Sequence, residues 1–209
     1  MISADNSNWQ ASNAQVFWGE IAPCNHLLQI YENDEVMLDA LESFAASGFD
    51  SGESVVVIAT AVHLKGLEER LVQMGYHLES LQNSHQFIPL EANKALEKFM
   101  VKDWPDEDLF MSFVNETIAL AKGGTTRNVR AYGEMVAILW EQGHAGATVR
   151  LEHLWNKFCE QEDFCLFCAY PKTAFTQDIK NSIRHICSAH SKIISGDVRS
   201  TKEIYYQTV

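Results

Sequence analysis

The strongest constraint on the fold is a short apolar strand that runs directly into an amphipathic helix. Residues 54–59 (SVVVIA) are almost entirely apolar and mostly β-branched, which is typical of a strand buried on both faces of a parallel sheet. The helix that follows begins near Ala61 and ends before Gly75, a residue suited to a helix C-terminus. Between them, residues 59–63 (ATAVH) contain neither the glycines nor the lysine that cradle phosphates at such a junction in nucleotide-binding α/β domains. This combination predicts sensing or binding in place of ATP hydrolysis.

Strands and helices alternate along most of the chain. The pattern of apolar residues predicts strands at 26–31, 54–59, 76–81, 86–90, 128–132 and 164–170, and helices at 33–47, 61–74, 91–101, 106–122, 135–143, 145–161 and 173–191. Crossovers of this length predict a three-layer α/β fold, with a mostly parallel sheet of about five to seven strands and helices on both faces. The predicted organisation is a flexible leader (1–22), one domain (23–191) and a C-terminal tail (192–209). Within the tail, residues 204–206 (IYY) could add an edge strand or pack on a partner.

Composition excludes several classes of partner. The 209 residues include 16 Lys plus Arg and 28 Asp plus Glu, for a formal net charge of −12, so phosphate backbones and anionic lipids are repelled. No apolar run approaches the roughly 20 residues that span a bilayer, and the polar N-terminus lacks the apolar centre of a signal peptide. Five cysteines, an odd number, fit a reducing compartment better than a disulfide framework. We therefore expect a cytoplasmic protein that binds neither nucleic acid nor membrane.

Ligands of parallel α/β sheets bind beyond the carboxyl ends of the strands, and this rule selects the candidate pocket residues. The residues at or just after predicted strand ends are Tyr31, Thr60, His63, Glu134 and Tyr170. Glu134 offers the most chemistry, because a carboxylate there can bind an amine or hydroxyl, hold a metal or act as a general base. The alternative is an exposed glutamate favoured by the dipole of the helix that follows.

For two histidines and a second glutamate, a structural role is at least as well supported as contact with a ligand. His26 and His63 each either contact a ligand or serve as hydrogen-bonded structural histidines. Glu152, within the predicted helix 145–161, either reaches the pocket or forms an ion pair, and the ion pair is the favoured interpretation. Its possible partners are Arg127, Arg130 and Arg150.

The cysteines raise two alternatives, a metal site and a nucleophile. Cys165 and Cys168, followed by Cys187 and His190, have the spacing of a zinc ribbon. Residues three apart in a strand point to opposite faces, however, so buried core cysteines are the favoured interpretation. A thiol–imidazole pair of Cys168 with His190 or His153 is the other alternative, but no glycine elbow or oxyanion turn adjoins Cys168. We therefore expect no metal and no cofactor.

Several segments in combination resemble the MEDS family, the methanogen/methylotroph DcmR-type sensory domains. They are HLLQIY (26–31), GESVVVIAT (52–60), VRAYGEMVAILWEQG (129–143), LEHLWN (151–156), LFCAYP (166–171) and ICSAHS (186–191). The resemblance implies a RecA/KaiC-like fold whose phosphate loop has degenerated. It also implies a sensory input module, sometimes fused to kinases or DNA-binding domains, for which small organic ligands have been suggested, hydrocarbon derivatives among them. Cys168, Cys187 and His190 fit the family pattern, whereas Cys165 does not.

These observations predict a non-catalytic sensory or regulatory module. It binds a small molecule at the carboxyl ends of the strands and signals through a partner protein, a kinase or a transcription regulator, because too few residues follow Ser191 for an output domain. One alternative is a small-molecule hydrolase or transferase that uses Glu134 with His63 or a cysteine, and another is an interaction scaffold with a vestigial pocket. A homodimer would give the leader and tail a surface on which to pack. The predicted ligand-binding residues are His26, Tyr31, Thr60, His63, Glu134, Glu152, Cys168 and Tyr170.

Overall fold

The computed structural model describes residues 9–12, 26–162, 164–175, 190, 192–195 and 203–207. Its strands are β1 (Trp9–Ser12), β2 (His26–Tyr31), β3 (Ser54–Ala59), β4 (Phe87–Glu91), β5 (Met100–Val101), β6 (Trp104–Pro105), β7 (Val129–Gly133), β8 (Cys165–Pro171), β9 (Lys192–Ser195) and β10 (Glu203–Gln207). Its helices are α1 (Asp34–Asp50), α2 (Ala61–Gln73), α3 (Leu78–Asn83), α4 (Ala92–Leu96), α5 (Glu107–Lys122), α6 (Met135–Glu141) and α7 (Ala145–Cys159). A 3-10 turn, Lys172–Phe175, follows β8.

The main sheet contains eight strands in the order β1-β10-β9-β2-β8-β7-β3-β4. From β9 to β4 neighbouring strands run parallel, whereas β10 pairs antiparallel with both β9 and β1. The prediction of a mostly parallel sheet is confirmed, although the sheet has more strands than predicted. Residues 204–206 lie in β10, which is one strand inside the edge. Residues 9–12 join the sheet as β1, and the division of the chain into leader, domain and tail stays a prediction.

Helices cover both faces of the sheet, which confirms the three-layer arrangement. Because side chains alternate along a strand, Val55 and Val57 of β3 face one side whereas Val56 and Ile58 face the other. The first side packs against α1 and α2, and the second packs against α4, α5, α6 and α7. Burial on both faces accounts for the nearly uniform apolar sequence of β3.

The strand predicted at residues 76–81 is wrong, because helix α3 occupies most of this segment. Leu78 and Leu81 are three residues apart and both pack against the core on the α1 side of the sheet. Residues at this spacing share one face of a helix, so a helix lets both leucines reach the core.

The helix predicted at residues 91–101 is also wrong beyond Leu96, where α4 ends. The chain then turns into the two-stranded hairpin of β5 and β6. Lys102 and Asp103 at its tip have φ values of 49° and 60°, as the two-residue type I′ turn of a hairpin requires. The helix predicted at 173–191 falls largely outside the described residues, and its described beginning is the 3-10 turn.

The strand order brings the carboxyl ends of β2, β8, β7 and β3 to one edge of the sheet. From β3 the chain continues to β4 on one side, whereas from β7 it continues to β8 on the other. The connections therefore diverge between β3 and β7 and open a crevice there, the position at which open α/β sheets bind ligands.

Among the described residues, no helix combines the length and the apolar character needed to cross a membrane.

Candidate functional site

A cleft of about 370 Å³ lies at the carboxyl ends of β2, β3 and β7, and we call it the strand-end cleft. Two strand–helix junctions form its walls. At the first, Asn33 caps α1 by accepting a hydrogen bond from Val36 N at 3.1 Å. At the second, Thr60 caps α2 by accepting a hydrogen bond from His63 N at 3.4 Å. The two caps start both helices at the cleft, so the side chains of both junctions face it.

Carboxylates dominate the polar lining of the strand-end cleft. They belong to Glu32, Asp34, Glu134 and Glu141. Lys172 forms an ion pair with Glu32, and His63 is the basic residue of the lining. Such a lining repels phosphate groups and favours ligands that present N–H or O–H donors. A larger hollow of about 680 Å³ lies beside Val72 and Tyr76, away from the strand ends.

An imidazole and a carboxylate meet in the cleft. His63 Nδ1 lies 2.5 Å from Glu134 Oε1, and Thr60 N donates to Glu134 Oε2 at 3.1 Å. The hydrogen bond to Glu134 raises the pKa of His63, burial opposes this rise, and Asp34, 3.6 Å from His63 Nε2, adds to it. This hydrogen-bonded pair of His63 and Glu134 therefore joins the start of α2 to the start of α6.

Two tyrosines lie near this pair. Burial raises the pKa of Tyr31, and the charges of Glu134, Asp34 and Glu141 raise it further. Burial likewise raises the pKa of Tyr132 well above its usual value, with Glu134 as the next cause. Both hydroxyls stay protonated near neutral pH. The predicted residues that meet at the cleft are Tyr31, Thr60, His63 and Glu134.

Neither junction of the cleft has the sequence of a phosphate-binding loop. The second, residues 59–63, lacks glycine and lysine, and the first, residues 31–35 (YENDE), lacks both and carries three carboxylates. The sequence prediction did not include Glu32, Asp34 and Glu141 in the site. Glu32 and Asp34 follow β2 directly, so the rule of strand ends could have found them.

The other four predicted residues lie away from the cleft, on the α7 side of the sheet. They are His26, Glu152, Cys168 and Tyr170. His26 begins β2 and Tyr31 ends it, so about 17 Å of strand separates His26 from the cleft. Cys168 lies in the middle of β8, and Tyr170 is fully buried rather than at the rim. The sequence-based placement of these residues in the pocket is therefore corrected.

These residues form a buried cluster with His190, which lies shortly before β9. His26 Nε2 lies 3.3 Å from Cys168 Sγ and 3.6 Å from Glu152 Oε2. His190 Nε2 lies 3.6 Å from the same Glu152 Oε2, and the two imidazole rings are 3.9 Å apart. Tyr170 donates its hydroxyl to Glu152 Oε1 at 2.6 Å. We call His26, Glu152, Cys168 and His190 the buried cluster.

Burial controls the ionisation of the cluster. It raises the pKa of Glu152 to about 8, although the hydrogen bond from Tyr170 acts in the opposite direction. It also raises the pKa of the Cys168 thiol well above its usual value, and Glu152 adds to this rise. A thiol that is buried and protonated is a poor nucleophile, so the geometry gives no support to an enzyme that uses Cys168.

The arginines predicted as partners of Glu152 bind other groups. Arg130 pairs with Glu53, and Arg150 pairs with Glu107 at 2.6 Å. Arg127 donates to the Ser54 hydroxyl at 3.1 Å. Glu152 Oε2 instead lies 3.6 Å from Nε2 of each of the two histidines of the buried cluster.

The two cysteines that begin the zinc-ribbon spacing lie on opposite faces of the sheet, in agreement with the favoured interpretation as core cysteines. Cys165 packs in the core on the α1 side of the sheet, whereas Cys168 packs in the core on the opposite side. Two cysteines on opposite faces cannot bind the same ion. Cys187 lies outside the described residues.

The sequence and the fold both have relatives among known proteins. The pattern of a family described as "MEthanogen/methylotroph, DcmR Sensory domain" matches residues 25–191. A search of curated proteins finds no match. The fold is similar to that of a KaiC-like protein from the hyperthermophilic archaeon Pyrococcus horikoshii, at a TM-score of 0.57 and 10% identity over 88% of this chain and 78% of that one.

A second solved structure from Pyrococcus horikoshii superposes with a TM-score of 0.58 and 10% identity over 90% of this chain and 89% of that one. Similarity at this identity shows the fold, which is KaiC-like as predicted. The family match covers most of the chain. The chain belongs to the MEDS family of sensory domains.

Proposed function

We propose that this domain is a non-catalytic sensory module that binds a small molecule without phosphate groups in the strand-end cleft. The observation that carries the proposal is the pair of His63 and Glu134, which lines the cleft at the crevice between β3 and β7. Sheets of this class bind ligands at such a crevice. The sensory family to which the chain belongs supports the same role.

The lining of the cleft favours a particular class of ligand. Its carboxylates accept hydrogen bonds, so they suit an amine or an alcohol, and they disfavour an anion. Ala137, Ile138 and Pro171 provide apolar contact for a short hydrocarbon part. We expect the ligand to be a small organic amine or alcohol.

Ligand binding changes the contact between two helices. The pair joins the start of α2 to the start of α6, so a ligand that takes the hydrogen bonds of Glu134 releases α2 from α6. Helix α2 exposes two large apolar side chains, Val62 at 75% and Val72 at 57%. We propose that a partner protein, a kinase or a transcription regulator, contacts α2.

The second candidate function is a hydrolase or transferase. The contact between His63 and Glu134 favours it, because a carboxylate orients the histidine base of many enzymes. The surroundings of His63 weaken it. Both ring nitrogens face carboxylates, Nδ1 at 2.5 Å from Glu134 and Nε2 at 3.6 Å from Asp34. Each ring nitrogen is therefore engaged by a carboxylate of the protein, and the raised pKa of His63 favours the protonated ring, which does not act as a base.

A thermal-shift panel of small amines, alcohols and nucleotides tests the proposal. A ligand at 100 times its Kd stabilises the protein by about 2.7 kcal/mol, which is readily measured. We expect a shift from at least one amine or alcohol and none from ATP or GTP. Glu134→Gln should remove the ligand shift while the protein stays folded, because an amide oxygen can still accept from Thr60 N.

Glu79→Gln is the matched control, because Glu79 is exposed on α3 and lies outside the cleft. This variant should keep the ligand shift of the natural protein. A panel without any shift would favour a scaffold with a vestigial pocket. Turnover of ATP or of a panel compound that Glu134→Gln abolishes would favour an enzyme.

A further inference from the structure

We propose that His26, Glu152, Cys168 and His190 form a binding site for a divalent transition-metal ion, with zinc the best match. The four donor atoms come from β2, α7, β8 and the residue shortly before β9. They all lie within 4.8 Å of one another. The site is distinct from the strand-end cleft and does not depend on the function proposed for it.

The donor types select the class of metal. Two imidazole nitrogens, one thiolate sulfur and one carboxylate oxygen are ligands of zinc and of other late first-row ions. Calcium and magnesium prefer oxygen ligands alone. Four protein donors satisfy the tetrahedral geometry of zinc without a water.

The spacing of the donor atoms agrees with a tetrahedron. Zinc bond lengths of about 2.0–2.3 Å and tetrahedral angles place neighbouring donor atoms about 3.3–3.6 Å apart. Three of the six separations match this range, 3.3 Å between His26 Nε2 and Cys168 Sγ and 3.6 Å from Glu152 Oε2 to each histidine Nε2. All six lie within 4.8 Å, so an ion at the centre would draw the remaining pairs closer together.

Outer hydrogen bonds orient two of the donors toward this centre. Asn156 Oδ1 lies 2.7 Å from His26 Nδ1, and an amide oxygen can only accept, so Nδ1 carries the proton and Nε2 presents its lone pair. Tyr170 donates to Glu152 Oε1 and leaves Oε2 facing the histidines. Glu152 Oε2 accepts no hydrogen bond from the described residues. Metal-binding histidines and carboxylates are commonly held in this way.

The surroundings of Glu152 also suit a bound cation. Glu152 and His26 have side chains that are 3% and 5% exposed, and the His190 side chain is fully buried. Within the described part of the chain, the basic side chains near Glu152 are these two histidines and not a lysine or arginine. A buried carboxylate is costly unless a cation pairs with it, and a divalent ion would provide that charge.

Metal analysis of the purified full chain tests the site. The protein is prepared under reducing conditions without added metal, its zinc, iron and cobalt contents are measured, and the chelated protein is then titrated with Zn²⁺ against a colorimetric chelator. We expect a single transition-metal ion per chain, removed by chelation and restored by titration. Iron in place of zinc would support the same donor site.

Matched variants assign the ligands. Cys168→Ser and Glu152→Gln should lose the bound ion, whereas Cys165→Ser, on the opposite face of the sheet, should keep it. Tyr170→Phe should weaken zinc binding by about 10–100-fold through the loss of its hydrogen bond to Glu152. Cobalt-loaded protein should show a thiolate-to-metal absorption band that Cys168→Ser removes and Cys165→Ser retains.

Two results would overturn the proposal. One is a natural protein that carries no stoichiometric metal when purified and binds none in the titration, which would leave a neutral hydrogen-bonded core. The other is zinc affinity unchanged in folded Cys168→Ser and Glu152→Gln. Because the first result comes from the natural chain, the test remains decisive if a variant fails to fold.

Discussion

The strand-end cleft and the buried cluster each bring a histidine to a glutamate, but their surroundings differ. Glu134 accepts a backbone hydrogen bond from Thr60 at the start of a helix, and His63 beside it is 13% exposed. Glu152 projects from the middle of α7 into the core, where burial raises its pKa to about 8. The first pair is accessible to a ligand, whereas the second is buried.

The difference shows that residue type and spacing do not define a site in this fold. The list of ligand-binding residues predicted from the sequence placed His63 with Glu134 and His26 with Glu152 in one pocket. The strands separate them, because β2 runs from the cluster at His26 to the cleft at Tyr31. Three comparisons between the two regions, and the pH dependence of one of them, test this separation.

Replacement of the histidine in each region should give the largest difference in the free energy of unfolding. His26→Ala deletes a buried ring and its hydrogen bond to Asn156, so it should lower the free energy of unfolding by about 2–4 kcal/mol. His63→Ala removes a partly exposed ion pair and should lower it by about 1 kcal/mol or less. Urea denaturation of metal-free protein measures both values. Equal losses would contradict the assignment of His26 to the core.

A single hydroxyl can be removed from each region with less disturbance. Tyr170→Phe leaves the buried Glu152 without its donor and should cost about 1–3 kcal/mol. Tyr31→Phe, at the cleft, should cost less than about 0.5 kcal/mol. The midpoints of denaturation compare them directly. A larger loss from Tyr31→Phe would reverse the contrast.

Loss of the Thr60 cap at the cleft should lower the stability of the protein without changing the metal content of the buried cluster. Thr60→Ala removes the acceptor for His63 N and should cost about 1 kcal/mol, whereas Thr60→Ser should keep most of the cap. If the cluster binds a metal ion, the metal content of both variants should equal that of the natural protein. Metal loss on Thr60→Ala would show that the two regions are coupled.

The smallest expected effect is on the pH dependence of stability. The pKa of His63 is raised in the folded state above its ordinary value of 6.5, so the folded protein binds this proton more tightly than the unfolded chain. The stabilising contribution is complete below that ordinary value and is lost as pH rises through the folded pKa. The stability difference between the natural protein and His63→Gln should therefore shrink from pH 6 to pH 8. A difference that grows over this range would contradict a raised pKa.

Much of the fold could be predicted because its signals are local. The apolar run of β3 and the amphipathic pattern of the helix after it each lie within a few residues, and the structure reproduces both elements. The prediction of a strand at 76–81 is wrong because a short apolar segment is compatible with both the period of a strand and the period of a helix. Packing of Leu78 and Leu81 against the core selects the helix.

The grouping of the site residues could be predicted only in part. The rule that ligands bind at strand ends placed Thr60 and Glu134 in the cleft, because each residue follows a strand that the local sequence predicts. The cluster depends on the register of β2 with β8, in which Leu28 lies opposite Cys168, and this pairing joins segments about 140 residues apart in sequence. No local pattern encodes that register, although Thr148 and Trp155, on the same face of α7 as Glu152, indicate that Glu152 is buried.

Strand β2 fixes the distance between the two regions. It pairs in parallel with β8 from His26 to Tyr31 and with β9 from Leu27 to Ile30. An extended strand cannot be shortened, so this register holds His26 and Tyr31 at opposite ends of the sheet. A molecule small enough to fill the opening beside Tyr31 therefore cannot touch a donor atom of the buried cluster.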